Sequence, residues 1–397
     1  MNLASINDQK IVVIVTFCDY GGMLHYAQCL SGALKGQCKT ALVTRGEADT
    51  RADFCISPQY TGIKQKLFEF YNPFYYRKIA RKIIRKYAPD TIHITSSCMG
   101  GLPFVDELKK NGVHVVFTLH DPDPHEEKRS LWSRFVSRVH RWSEITMMKN
   151  CDVVHVHSEL HKEILLQRTG LNEPEISVIQ HGAGLSPLVA VGCEVPSELK
   201  AIPKQGKKPL ILLFFGRIEP YKGLSLLMSA LISRNYSREV MLIIAGQGEI
   251  DQVALRSLRE KNIQVYVLNR FIRDCEVKGV FEASDVVVLP YISATQTGVI
   301  PLAYAFDKSV IASRAGALPE LIRQGETGLL HDVGCSRQLG ECIESYAVDQ
   351  KLASTLGEQA ATMMSQKLSW KVIANKHLLN YFPSARPIKI SEAHYVI

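Results

Sequence analysis

The chain has 397 residues, 46% hydrophobic and 22% charged, with a formal net charge of +8. That is apolar material for more than one core, and at roughly 100–200 residues per domain it predicts two or three domains. With no low-complexity tract, glycine period or sustained heptad, the sequence excludes disordered, collagen-like and coiled-coil chains.

Residues 11–17 are an apolar run with no basic leader and no small-residue cleavage site, so they read as a strand and not as a secretory signal. Gly21-Gly22 then open a helix carrying Leu24, Ala27, Leu30 and Leu34 on one side. Further strands are expected at residues 40–44, 91–95, 113–119, 153–157 and 176–179. These runs are apolar on both faces, as parallel strands covered by helices are. Between them lies a helix at residues 75–87. Arg77, Lys78, Arg81, Lys82, Arg85 and Lys86 fall on one half of it, and Ile79, Ala80, Ile83, Ile84 and Tyr87 on the other. Its basic face suits an anionic membrane surface, at about 1 kcal/mol per cation near the headgroups. It equally suits plain solvation, and the two readings are compatible. Nucleic acid is not expected as a partner, because no aromatic-rich basic groove or DNA-binding motif accompanies the charge.

Residues 191–207, with Pro196, Ser197, Pro203, Lys204, Gly206 and Lys207, read as a linker. The pattern then restarts, with strands expected at 210–215, 240–245, 263–268, 286–289 and 309–312, helices at 224–232 and 318–322, and a closing helix at 370–381. The uncharged stretch 286–306 contains Pro290, Ser293, Thr295, Gln296, Gly298 and Pro301, so it reads as strand, loop and helix start, not as a membrane span. Strand and helix alternate throughout, which predicts an α/β fold of two doubly wound, Rossmann-like domains facing each other across a cleft. The expected limits are 1–190, a linker at 191–207, 208–369, and a 370–397 helix and tail packing back toward the first domain. Ten cysteines lie scattered without a C-x-x-C pair, the pattern of reduced thiols in a cytoplasmic protein.

Several segments offer chemistry at strand ends. In residues 214–223 (FFGRIEPYKG) a strand ends, Gly216 lets the chain turn, and Arg217 and Lys222 bracket a helix N-terminus. Cations and free N–H groups together suit a phosphate. In residues 294–302 a polar turn with Thr297, Gly298 and Val299 leads into a helix without a nearby acid. Gly246-Gln247-Gly248 fails the full dinucleotide-binding pattern. His120 follows a strand, at the head of His120-Asp121-Pro122-Asp123-Pro124-His125. No third or fourth metal ligand is evident near that D-x-D, and no metal is assigned. His155, His157 and His161 read as strand-end and helix-surface residues.

Order and spacing of these segments resemble the retaining GT-B glycosyltransferases of the group 1 (family 4) clan. The resemblance rests on residues 214–223, 242–249 (LIIAGQGE), 281–291 (FEASDVVVLPY), 297–322 (TGVIPLAYAFDKSVIASRAGALPELI) and 325–330 (GETGLL). The first half adds 21–34 (GGMLHYAQCLSGAL) and 118–125 (TLHDPDPH). It implies a nucleotide-sugar donor held mainly by the second domain and an acceptor held mainly by the first, with no metal or other cofactor. It places Arg217 and Lys222 on the donor diphosphate, beside Gly216 and the backbone of Thr297, Gly298 and Val299. Main chain near Arg270, Phe271 and Ile272 borders the nucleobase, Gly21 and Gly22 lie by the diphosphate and sugar, and His120 points at the sugar. The chain departs from the family's two glutamates eight positions apart: Ala294 and Leu302 stand there instead. Sugar and ribose contacts must come from elsewhere, with Gln296 the candidate.

The expected function is retaining transfer of a sugar from a nucleotide-diphosphate sugar to a saccharide acceptor. The basic helix and the family branch point to a lipid-linked acceptor, in bacterial-type surface polysaccharide or glycolipid assembly. The expected location is the cytoplasm, peripheral on the inner face of the membrane. Two rivals stay open: a sugar-nucleotide epimerase of the same fold, and a degenerate transferase acting as a binding subunit. A nicotinamide dehydrogenase is a distant third.

Overall fold

The structure is a computed structural model. It describes residues 10–18, 22–45, 52–56, 72–98, 100–121, 131–169, 176–182, 194–202, 209–294 and 297–382. The chain forms two compact units, Met1–Gln180 with Trp370–Ile397, and His181–Ser369. Among the described residues no helix is long and apolar enough to cross a membrane.

Among the described residues the first unit holds seven parallel strands: β1 Ile11–Val15, β2 Lys39–Arg45, β3 Phe54–Ile56, β4 Thr91–Ile94, β5 His114–Thr118, β6 Val153–Val156 and β7 Ile176–Val178. Their order is β3-β2-β1-β4-β5-β6-β7. Successive β1 side chains alternate between two cores. Val13 and Val15 pack with Ile83 and Phe104 on one face, while Val12 and Ile14 pack with Tyr26, Leu30, Leu378 and Tyr381 on the other. Each such side chain, fully buried, contributes about 1.5–3 kcal/mol. The closing helix Trp370–Tyr381 thus forms part of this unit's core.

The basic helix runs Pro73–Tyr87. Asn72 Oδ1 accepts from Tyr75 N at 3.1 Å, Pro73 occupies the first turn, and Ala88, left-handed at φ 43°, ends it. Ile79, Ala80 and Ile83 are buried, as the pattern requires. Half of the six cations are engaged with protein. Arg81 holds Glu107 through two bonds of 2.8 and 3.1 Å, and Lys82 and Lys86 lie over the Phe54 ring at 4.6 and 5.0 Å. Lys78 and Arg85 are exposed, and Arg77 is half-buried.

One expectation is corrected here. His161, read as a helix-surface residue, is fully buried on the helix Glu159–Thr169, while His155 and His157 stand at the end of β6 as read, at 0% and 5% exposure. Helices cover both faces of a parallel sheet and leave no wet side.

Among the described residues the second unit has six parallel strands: β8 Leu210–Phe215, β9 Val240–Ala245, β10 Gln264–Leu268, β11 Val286–Leu289, β12 Ser309–Ser313 and β13 Gly328–His331. The order is β10-β9-β8-β11-β12-β13. It reverses between β8 and β11, and the crevice at such a reversal is where this architecture binds ligands. Residues 318–322, read as a helix, form one 3-10 turn, Leu318–Leu321.

Part of the segment read as a linker falls in this unit. Glu194 N donates to Cys275 O at 2.9 Å, and Leu199 is buried in the unit's core. An ion network ties it down: Arg270 reaches Glu276 and Glu198, and Arg273 reaches Glu276 and Glu194. Glu276 is 3% exposed, and hydrogen bonds from Arg270 and Arg273 hold its carboxyl down to about 2. A depressed carboxyl contributes stability that is complete above its unfolded value and is lost as pH falls through the folded one. The unit is therefore expected to lose stability between about pH 4.5 and pH 2. Glu276→Gln is expected to flatten that slope in acid unfolding followed by circular dichroism.

Candidate functional site

The loops after β8, β9, β10 and β11 are laced by backbone. Gly216 N donates to Ala245 O at 2.9 Å and Ile218 N to Gln247 O at 2.8 Å. Gly246 N donates to Leu268 O at 3.0 Å, and Ile292 N to Tyr221 O at 2.7 Å. Two glycines make this approach possible. A Cβ on Gly246 would lie 2.0 Å from Gly216 O, and one on Gly248 2.2 Å from Ile218 O. The Gly-Gln-Gly triplet is therefore a packing device for the neighbouring loop and not a dinucleotide fingerprint.

On this platform sit the two cations. Arg217 follows Gly216, which turns at φ 99°, and its side chain is 70% exposed with Nε 3.4 Å from Glu219 Oε1. Lys222 ends the 3-10 turn Pro220–Lys222. Its Nζ lies 3.0 Å from where a Cβ on residue 216 would be, so the missing side chain of Gly216 is what admits the ammonium. The ammonium also lies 5.8 Å from the centre of the Tyr291 ring. Burial pulls Lys222 down to about 8; Glu219 opposes the shift, and the Arg217 charge adds to it. A half-buried ammonium beside a second cation gains from any anion that enters.

Around it, Thr297 is 7% exposed and its Oγ1 accepts from Val299 N at 3.1 Å, so that amide is already capped inside the turn. The following helix, Val299–Ala305, is short. Ala294 is buried in the apolar core and Leu302 packs against it, which puts hydrocarbon where the family pattern has its glutamates. Arg270 spends its side chain on Glu276 and Glu198, and its amide donates to Leu268 O at 2.8 Å. Phe271 is 67% exposed and Ile272 is buried. A groove of about 570 Å³ lined by residues 218–220 of the cation loop carries Glu219, Glu249 and Asp251, charges that disfavour phosphate there.

In the first unit, Gly22 begins the helix Gly22–Leu34, and a Cβ there would meet nothing within 4 Å. His120 follows β5, half-buried, with Nε2 3.0 Å from Thr95 O and Nδ1 3.0 Å from His157 Nε2. Gly21 and Gln296 lie outside the described residues. Sequence reasoning missed the roles of Gly223 and Tyr291, and it named Gly246, Gly248 and His157 without assigning them to a site. Only the glycines left a signal, as triplets and singles following strands.

Residues 20–186 match the family model "Glycosyltransferase Family 4", and residues 209–349 match "Glycosyl transferases group 1". The chain belongs to the group 1, family 4 glycosyltransferases. Among its curated relatives in that family is the D-inositol 3-phosphate glycosyltransferase of Corynebacterium glutamicum (strain R). It is 27% identical over 250 residues, which are 60% of this chain and 59% of that protein. The match thus spans about three fifths of the relative's length. Two solved structures share the GT-B fold. Sucrose-phosphate synthase from Thermosynechococcus elongatus has TM-score 0.69 at 19% identity, covering 95% of this chain and 99% of the other. Anabaena HepE in complex with UDP and glucose has TM-score 0.69 at 18% identity, covering 95% and 100%. At these identities the likeness is one of fold.

Proposed function

We propose that the chain is a retaining glycosyltransferase that moves a sugar from a nucleoside-diphosphate sugar to a saccharide acceptor. The observation that carries this reading is Lys222: a half-buried ammonium over Gly216, beside Arg217, at the carboxyl ends of β8 and β11. The UDP and glucose bound by HepE, a protein of the same fold, support a nucleoside-diphosphate donor. Departure of the nucleotide builds negative charge on its terminal phosphate, and preorganised cations stabilise that charge without further rearrangement. Main chain at residues 270–272 serves the base in this reading. In the N-terminal unit, Gly22 and His120 serve the transferred sugar. The basic helix supports a lipid-linked acceptor: exposed Lys78 and Arg85, with Phe74 74% exposed at its start, meet headgroups.

The test is a panel of UDP- and GDP-sugars with membrane-derived lipid acceptors, read by product mass and anomeric configuration. Transfer with inversion removes the retaining assignment, and an isomerised donor without transfer supports an epimerase instead. Binding of a donor without turnover supports a binding subunit. Pelleting with anionic vesicles tests the helix; sedimentation unchanged by reversing Lys78 and Arg85 removes the membrane role.

The reading also fixes a pH dependence. The diphosphate diester of a sugar donor stays ionised across the neutral range, while Lys222 loses its proton near pH 8. Donor affinity is expected to be flat below about pH 7 and to fall above pH 8, by at most about tenfold per unit. Calorimetry from pH 6.5 to about 9.5 measures it, and Lys222→Arg should keep the profile flat.

A further inference from the structure

The proposed role of His120 leaves one feature unexplained: both of its ring nitrogens are spent inside its own unit. Its Nε2 lies 3.0 Å from Thr95 O, and a carbonyl oxygen only accepts, so Nε2 carries a proton. His157 Nδ1 lies 2.9 Å from Ile179 O, so that nitrogen carries a proton as well. If both rings were neutral, each would turn its remaining nitrogen on the other as a bare lone pair. Yet His120 Nδ1 and His157 Nε2 stand 3.0 Å apart, a hydrogen-bond distance. Two lone pairs repel at that separation, and one proton between them converts the repulsion into a charge-assisted bond. Three protons over four nitrogens leave the pair with one positive charge.

We infer that His120 and His157 are a single proton-sharing pair, an imidazole bound to an imidazolium, with His157 the positioning residue that holds His120 and its charge at the carboxyl end of β5. Its catalytic consequence rests on the transferase reading above; its protonation does not. The pair acts on a ligand through charge, since neither ring has a nitrogen left to donate without breaking a bond of the fold.

The groups facing the pair fit this. The Tyr26 ring lies 4.9 Å from His120 and 5.6 Å from His157, edge-on to the first. Burial pushes the Tyr26 hydroxyl well above its usual range, so it stays neutral. Asp121 adjoins His120 in sequence, and burial raises the carboxyl of Glu144, which lies near Asp121. Behind stand His93 and His377, both driven down by burial, so neither brings a second charge.

The adjacent cluster His93, His155 and His377 offers ring nitrogens within 4.8 Å of one another. It carries no metal proposal. His93 spends Nδ1 on the Tyr381 hydroxyl and Nε2 on Thr118 Oγ1, each at 2.6 Å. Only His155 Nδ1 and His377 Nδ1 are then left among the three, too few to close a site.

Nitrogen-15 labelling of histidine in the full chain tests the pair at pH 7.5, with signals assigned by His120→Gln and His157→Gln. Three ring N–H groups over the two residues are expected. Two N–H groups, with the facing nitrogens both of lone-pair type, overturn the proposal. For function, His157→Gln places an amide donor against His120 Nδ1 and so keeps the contact without the charge. It is expected to lower kcat about tenfold, with the donor KM within about twofold, and to alter the kcat pH profile. Wild-type kcat and pH profile in that variant overturn the catalytic role. Absence of transfer by the unsubstituted chain instead counts against the transferase reading, and the labelling result stands apart from it.

Discussion

Replacing Lys222 with alanine is expected to lower turnover with a nucleoside-diphosphate sugar by about 100-fold or more. Arg217 is 70% exposed and already paired with Glu219, so solvent and that carboxylate screen much of its charge. Lys222 sits deeper, in the space left by Gly216 and against the Tyr291 ring, where an ionic contact is screened less. Its lowered value is the mark of that setting: a group that resists charge when alone gains most when a leaving phosphate arrives. Because charge on the phosphate grows as the glycosidic bond breaks, the loss should fall on kcat more than on KM. Lys222→Arg should restore part of the turnover, limited by the fit of a planar fork over Gly216. Turnover in Lys222→Ala equal to that of the unsubstituted chain, with unfolding unchanged, would take Lys222 out of the chemistry.

The sequence foretold such a cation but not its setting. β8, β9 and β11 have the limits read from hydropathy, because strands buried on both faces leave unbroken apolar runs between polar loops. The same rule hid β3 and β13. Phe54–Ile56 is three residues long at a sheet edge, and Gly328–His331 begins on a glycine and ends on a histidine, so neither makes a run. Residues 318–322 were read as a helix, yet only a 3-10 turn fits before the chain leaves at extended Ile322. At the site, Arg217 and Lys222 were legible as charges following a strand. The depth of Lys222 depends on Gly216 and Tyr291, 75 positions apart, and no local pattern joins them. His157 was read correctly at a strand end, but its role was hidden for a related reason: its partners, Ile179 O and His120, come from separate strand ends.

Gly223→Ala is expected to destabilise the second unit by about 2–4 kcal/mol and to weaken donor binding at least about tenfold. Gly223 closes the 3-10 turn that ends in Lys222 and also begins the helix Leu224–Ile232, at φ 70°. A side chain there meets two separate obstacles. Left-handed backbone alone costs a non-glycine residue about 1–2 kcal/mol. The new Cβ would also stand 2.0 Å from Pro290 O, a backbone atom at the end of β11 that cannot rotate aside. Relief requires the cation loop to move away from β11, which draws Lys222 off Gly216 and Tyr291. Gly325→Ala separates the two costs: its φ is 75°, but a Cβ there would meet nothing within 4 Å. That variant should lose only the conformational part and keep donor affinity. Denaturant unfolding and calorimetry on both variants decide the matter. Equal losses in stability and no change in affinity at Gly223 would show that the contact with Pro290 does not set the position of Lys222.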